Sequence, residues 1–446
     1  MSAALGSTPA TDATTTDETV QRLQQRLAAV ESELAEIKAN DGEHWLTEQR
    51  ATQIRSLVQD VLADADTRAS LLQDGMVAGY DKGFFLASSD GNFRLKVSGQ
   101  LQVRYVYNFR DTGDEAGTDD HRQGFEIRRA KLAFEGHVID PSWSYQIGGG
   151  FERDGGAFVL EDAFVNKDLD GGWDLQFGQF KSSFMREENV SSKRQLAVER
   201  SLLNEEFNQD RSQGVQLGWT GDNFRFKAMY HDGFFPSSLG TDNTGWQVED
   251  TEWGAITGRV EWLNTGDWKA AFDDFQGWRD SELQILVGGA ASYQRSEFGT
   301  GNNLPAPDFN NNEVDQFTAT ADVGVKGNGF GVFGAVVYRM LDPNAGDSID
   351  QFGLMIQGSL FFTDDLEGFA RYEWADADIS GVDDLNVLTV GANKYWAKHS
   401  LKWQNDIGFS FDPVAAIWAS SSAGWLADPT DEDGQVVFRS QFQLLF

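Results

Sequence analysis

The chain has 446 residues, 40% of them hydrophobic, and a formal charge of −34 at pH 7. No run approaches the roughly 18 consecutive apolar residues that a spanning helix needs, so a helical membrane protein is excluded, and the acidity argues against nucleic acid as a partner. With no cysteine, thiol catalysis, disulfides and thiolate metal sites are ruled out together.

Residues 1–17 are small and polar and are expected to be disordered. Met1 to Thr16 has neither a basic start nor an apolar core, so it is not a signal peptide, and a signal is expected to have been removed upstream of this numbering. Residues 18–75 read as an α-helical stalk. Val20, Leu23, Leu27, Val30, Leu34 and Ile37 follow at spacings of 3, 4, 3, 4 and 3, a heptad seam with Val20, Leu27 and Leu34 at a. Leu at a with β-branched residues at d favours three or four strands over two. A second helical stretch over about 45–72 would bring the stalk to roughly 80 Å at ~1.5 Å per residue. The plainer alternative is one amphipathic helix packed on its own domain.

From Gly83 to Phe446 the period is two. Phe93, Leu95, Val97, Leu101, Val103, Tyr105 and Tyr107 share one face, while Arg94, Lys96, Gln100, Gln102, Arg104 and Asn108 share the other. That length exceeds an ordinary globular strand and suits a tilted membrane strand, whose every second residue faces lipid. The last strand alternates likewise and ends on Phe446, resembling the assembly signal that the barrel-assembly machinery reads. Fourteen further alternating segments lie between them, giving an all-β transmembrane barrel of about sixteen antiparallel strands. Short links such as Asp140-Pro141 and Gly327-Asn328 read as periplasmic turns, and Trp143, Trp173, Trp219, Trp374 and Trp403 fall near strand ends, where indole rings favour the membrane boundary.

The segment Lys181 to Arg211 is too long for an idle turn, and carries six basic and six acidic residues. It is expected to fold inward as a pore constriction, with Lys181, Arg186, Lys193, Arg194 and Arg200 facing solute; an external helix-bearing loop is the alternative. Strand parity places Arg94, Lys96, Arg104, Arg129, Lys131, Arg225, Lys227, Arg371, Lys402 and Arg439 on the lumen wall, where fixed charge decides which ions linger. Five scattered His and no nucleophile–base motif give no sign of an enzyme, a metal or a cofactor.

FRLKVSGQLQVRY (93–105), GFEIRRAKLAFEGHV (124–138), LEDAFVN (160–166), LQFGQFKSSF (175–184), ERSLLNEEF (199–207) and RSQGVQLGW (211–219) resemble the phosphate-selective porins O and P. The resemblance covers about Gly91 to Phe235. It implies a trimeric sixteen-stranded barrel in the outer membrane whose third external loop enters the lumen. Anion-selective members carry an arginine ladder and a lysine cluster. Here the basic positions are partial and the loop is balanced, so phosphate specificity does not carry over with the resemblance.

The reading is therefore an outer-membrane homotrimeric porin passing small hydrophilic solutes, with a lean towards inorganic anions such as phosphate. Its stalk would project into the periplasm and tie the trimer together, or touch cell-wall material. The rival is a structural tether in which the stalk is the working part and the barrel an anchor. A soluble all-β binding protein is the third reading.

Overall fold

The computed structural model describes residues 25–33, 56, 76–113, 120–153, 155–208, 210–233, 251–296, 313–428 and 434–446. The chain divides into two units at Gly75/Met76. In the first, residues 25–33 are helical, with Leu27 and Val30 exposed; Val20, Leu23, Leu34 and Ile37 lie outside the described residues.

The second unit opens with a hairpin, β1 (Met76–Tyr80) and β2 (Phe84–Ser88), and continues as sixteen longer strands. These are β3 (Arg94–Phe109), β4 (His121–His137), β5 (Trp143–Phe151), β6 (Phe158–Asp168), β7 (Trp173–Lys181), β8 (Arg211–Thr220), β9 (Phe224–His231) and β10 (Thr251–Leu263). They are followed by β11 (Gln284–Ser296), β12 (Val314–Gly327), β13 (Phe330–Pro343), β14 (Ile349–Phe361), β15 (Leu366–Asp376), β16 (Leu385–Tyr395), β17 (Leu401–Ser410) and β18 (Val436–Leu445). Each pairs antiparallel with the next, and β18 pairs with β3 from Val436↔Phe109 to Leu445↔Gln100. The sixteen long strands therefore close on themselves as a barrel, which removes the open ends that a sheet would have.

Burial is inverted relative to a water-soluble protein. On β14, Phe352 and Ile356 point outward and exposed, while Gln351 and Gln357 are buried inside. On β3, Leu101 and Val103 face out, and Gln100, Gln102 and Arg104 face in. An apolar outer wall costs nothing against hydrocarbon and would be costly in water.

Beyond Phe446, whose backbone N–H and C=O both pair with Gly99, the edge of β3 is taken up by β2 (Phe84↔Val97 to Ala87↔Arg94). The hairpin thus prolongs the wall below the C-terminus, seven residues ahead of the expected barrel start at Gly83. The C-terminus and the links 138–142, 169–172, 221–223, 328–329, 362–365 and 396–400 share one rim, which is the periplasmic one by the short-turn rule for bacterial barrels. One link on that rim, 264–283, is long and carries a helix, Trp268–Phe272.

Candidate functional site

The link between β7 and β8 folds into the lumen and is buried along most of its length. It carries two short helices, Arg186–Asn189 and Leu202–Phe207. Ser201 caps the second, its hydroxyl accepting from Asn204 N–H at 2.9 Å; a capping oxygen satisfies one of the orphan donors of a first turn.

The far wall holds this loop by its backbone. Arg371 donates to Glu199 O at 2.9 Å, Asn393 Nδ2 to Leu196 O at 2.8 Å and Gln404 Nε2 to Gln195 O at 3.1 Å, while Asp406 accepts from Val198 N–H at 2.9 Å. Leu196, Leu203 and Phe207 pack with Met355, Val387 and Val437 of the wall, and Trp418 and Trp425 of the link before β18 join the same cluster. One sector of the barrel is consequently filled by the loop and its packing.

The open space lies on the other side, against β3 to β8. It is a cavity of about 1650 Å³ whose lining runs from Arg153 near the long-loop rim to Lys82 and Lys398 at the short-turn rim. Fourteen Lys and Arg line it against ten Asp and Glu, in a chain that is otherwise strongly acidic.

Two β-bulges load this wall. The register between β3 and β4 passes from Gln102↔Arg129 to Val103↔Ile127, so Arg128 is the extra residue and joins Arg129 in the lumen. Between β5 and β6 it passes from Gly148↔Asp162 to Gly149↔Leu160, bringing Glu161 in beside Asp162. A bulge re-aims one side chain that strict alternation would send outward. Glu199 of the loop accepts from Arg104, Arg128 and Arg129 at 2.6, 2.7 and 2.7 Å. Glu161 meets Lys131 at 2.6 Å and Arg211 at 3.2 Å.

Of the expected constriction residues, Lys181, Lys193, Arg194 and Arg200 line the cavity. Arg186 does not. It is 3% exposed, with its guanidinium 5.3–5.6 Å from the Phe272, Phe275 and Phe333 ring centroids, so it serves packing and not solute.

Among the expected lumen positions, Lys96, Arg129 and Lys131 line the cavity. Arg94 stands at the rim, paired with Asp81 and covering the Phe85 ring. Lys227 faces inward opposite Arg259, away from the cavity lining. Arg104, Arg225, Arg371, Lys402 and Arg439 also face inward but are spent on contacts. Arg225 pairs with Glu261, Arg371 with Glu373 and Arg439 with Asp406, and Lys402 donates to Gln195 O. Sequence parity missed Arg128, Glu161, Asp162, Lys269, Lys326 and Lys398. The adjacent charged doublets in EIRRAK and VLEDAF were the signal for the bulged pairs, since alternation cannot accommodate two neighbouring charges on opposite faces.

Glu205, partly open to the cavity, has its carboxyl pushed up to about 7, first by burial and then by Glu199 and Glu188, with Arg200 and Arg128 opposing. Its negative charge therefore disappears as pH falls through about 7, and the anion-to-cation permeability ratio is expected to rise over that range. Glu205→Gln should remove this titration from reversal potentials measured across the same pH span; a titration that survives in the variant belongs to another group.

A closed sixteen-stranded barrel, apolar outside and charged within, narrowed by a loop folded into its own lumen, is an outer-membrane porin. The family model for phosphate-selective porin O and P matches residues 98–258, and over those residues the resemblance read from the sequence is borne out.

The fold is similar to an anion-selective porin from Comamonas acidovorans (13% identity, TM-score 0.56, 79% of this chain and 99% of that one). It is also similar to the trimer form of OmpT, an outer membrane protein of Vibrio cholerae (12%, 0.52, 79% and 99%). A third similar structure is the outer membrane channel DcaP of Acinetobacter baumannii (11%, 0.50, 82% and 100%). No curated protein sequence matches the chain.

Proposed function

We propose that this porin is a passive diffusion channel for small hydrophilic solutes with a preference for inorganic anions, phosphate among them. The observation that carries the reading is the sign of the cavity wall: basic residues outnumber acidic ones there, although the whole chain carries −34. Local charge outweighs distant loops, because loop charges beyond a Debye length of about 8 Å are screened.

Pairing sharpens the bias. Lys131, Lys181 and Arg211 are neutralised in part by Glu161, Glu188 and Asp162. Among the described residues Lys82, Lys193, Lys269 and Lys398 of the cavity lining form no ion pair; Lys269 and Lys398 belong to links on the short-turn rim, and Lys82 to the turn between β1 and β2.

The test is the reversal potential of the purified protein in planar bilayers under a salt gradient. An anion-selective sign is expected, and a cation-selective sign overturns the preference. The double charge reversal Lys131→Glu with Lys193→Glu should cut the anion-to-cation permeability ratio roughly three-fold or more, since ring charges at a narrow site dominate selectivity.

The assembly we propose is a homotrimer in outer-membrane lipid, inserted by the barrel-assembly machinery through the strand that ends at Phe446, with residues 18–75 as a periplasmic coiled-coil stalk. The heptad spacing from Val20 to Ile37 supports the oligomer, as does the trimeric relative. The same spacing supports a second reading, a tether to cell-wall material. Wild-type protein that binds cell wall while carrying no current would favour the tether.

A further inference from the structure

We propose that the link 264–283 is a second arm of the constriction, entering from the periplasmic rim and joined to the external loop inside the barrel, with Arg186 as the residue that positions it. This rests on the channel reading above.

Every other described link on that rim has five residues or fewer between its strands, whereas this one spans 264–283. It turns inward: Ala271, Phe275 and Gln276 are fully buried. Phe275 packs on Phe333 with ring centroids 4.7 Å apart, and Trp278 sits 5.2 Å from Phe361 and 5.0 Å from Tyr395. Lys326 Nζ donates to Asp274 O at 2.8 Å and pairs with its carboxylate at 2.6 Å, and His399 Nε2 lies 3.1 Å from the other carboxylate oxygen. A Cβ at Gly277 would stand 1.8 Å from Phe330 O, so only glycine lets the backbone lie this close to the wall. A merely decorative periplasmic loop has no need of such anchoring.

The external loop meets it from above. Arg186 Nη2 donates to Ala271 O at 2.9 Å while its guanidinium faces the Phe272 and Phe275 rings, and Arg194 pairs with Asp273. Asp267, Lys269, Ala270 and Asp273 of the arm line the open cavity. The arm therefore occupies cross-section that the solute would otherwise use, and it diverts the path against the β3–β8 wall.

Two measurements test this. Replacing 265–282 by a four-residue turn should raise single-channel conductance roughly two-fold or more, because conductance follows the open cross-section of the narrowest stretch. Should that variant fail to fold, K269C in the otherwise cysteine-free chain gives an independent readout. A bulky thiol-reactive cation, added to the folded channel, should cut the current by about half. Unchanged conductance in the shortened protein, or unchanged current after complete modification of K269C, overturns the second arm. A wild type that carries no current at all sinks the channel reading instead.

Discussion

Replacing Glu199 by glutamine is expected to cost about 3 kcal/mol of folding stability, the lower end of what removing one partner of a buried ion cluster usually costs, and to make the channel more anion-selective. Both effects have one origin. The Glu199 carboxylate is 1% exposed and is shared by three guanidiniums. Burial alone would raise its pKa, but Arg129, Arg128 and Arg104 hold it well below the usual carboxylate range. A carboxyl held low in the folded state stabilises fully above its unfolded value near 4.5, and loses that contribution only as pH falls through the lower folded value. At neutral pH the cluster is therefore at full strength, and the neutral amide removes all of the ionic part.

Arg104 would keep Glu126 as a partner, and Arg129 would keep Gln102 Oε1 at 3.0 Å. Arg128 would keep no direct carboxylate partner among the described contacts and would face the cavity. Denaturant midpoints in detergent and reversal potentials in bilayers read the two consequences separately. A variant with a wild-type midpoint and wild-type selectivity would mean that Glu199 is not what ties the loop to the bulge.

The barrel was legible because alternation reports which face a residue occupies, and lipid enforces that rule along every strand. All sixteen long strands lie within a few residues of where the period-two pattern ends and begins. The hairpin β1–β2 was not legible: MVAGY and FFLAS are apolar on both faces, so no alternation marks them. Alternation also says nothing about what stands opposite a lumen residue. Arg371, Lys402 and Arg439 face inward as expected, yet they are consumed by the loop and the wall.

The constriction loop could be read from its length and its likeness to a family. The second arm could not, because 264–283 resembles neither family nor repeat and its aromatic residues look like those of any strand end. Arg186 was misassigned for the same reason. A basic residue in a pore loop suggests a solute contact, and only the aromatic residues brought from 272, 275 and 333 show that its place is taken.

Gly353→Val is expected to narrow the channel from a position that never touches solute. Gly353 lies on the inner face of β14 opposite Val337, and a Cβ there would stand 2.0 Å from Leu203 Cδ1 and 3.1 Å from Val337 Cγ1. Leu203 is wholly buried and belongs to the loop helix Leu202–Phe207, so the helix must lift off the wall, carrying Glu205 towards the cavity. Overpacking of this kind costs about 1–3 kcal/mol, and single-channel conductance should fall by roughly half if the helix moves into open cross-section. Gly358→Ala on the same strand is the control, since its Cβ would meet nothing closer than 3.8 Å. Leu203→Ala alone should destabilise by about 2–5 kcal/mol. Combined with Gly353→Val it should cost less than the sum, because the valine fills the space that the leucine leaves. Strict additivity of the two would show that the helix does not rest in the notch at Gly353, and would detach the position of the pore from the missing side chain that makes room for its loop.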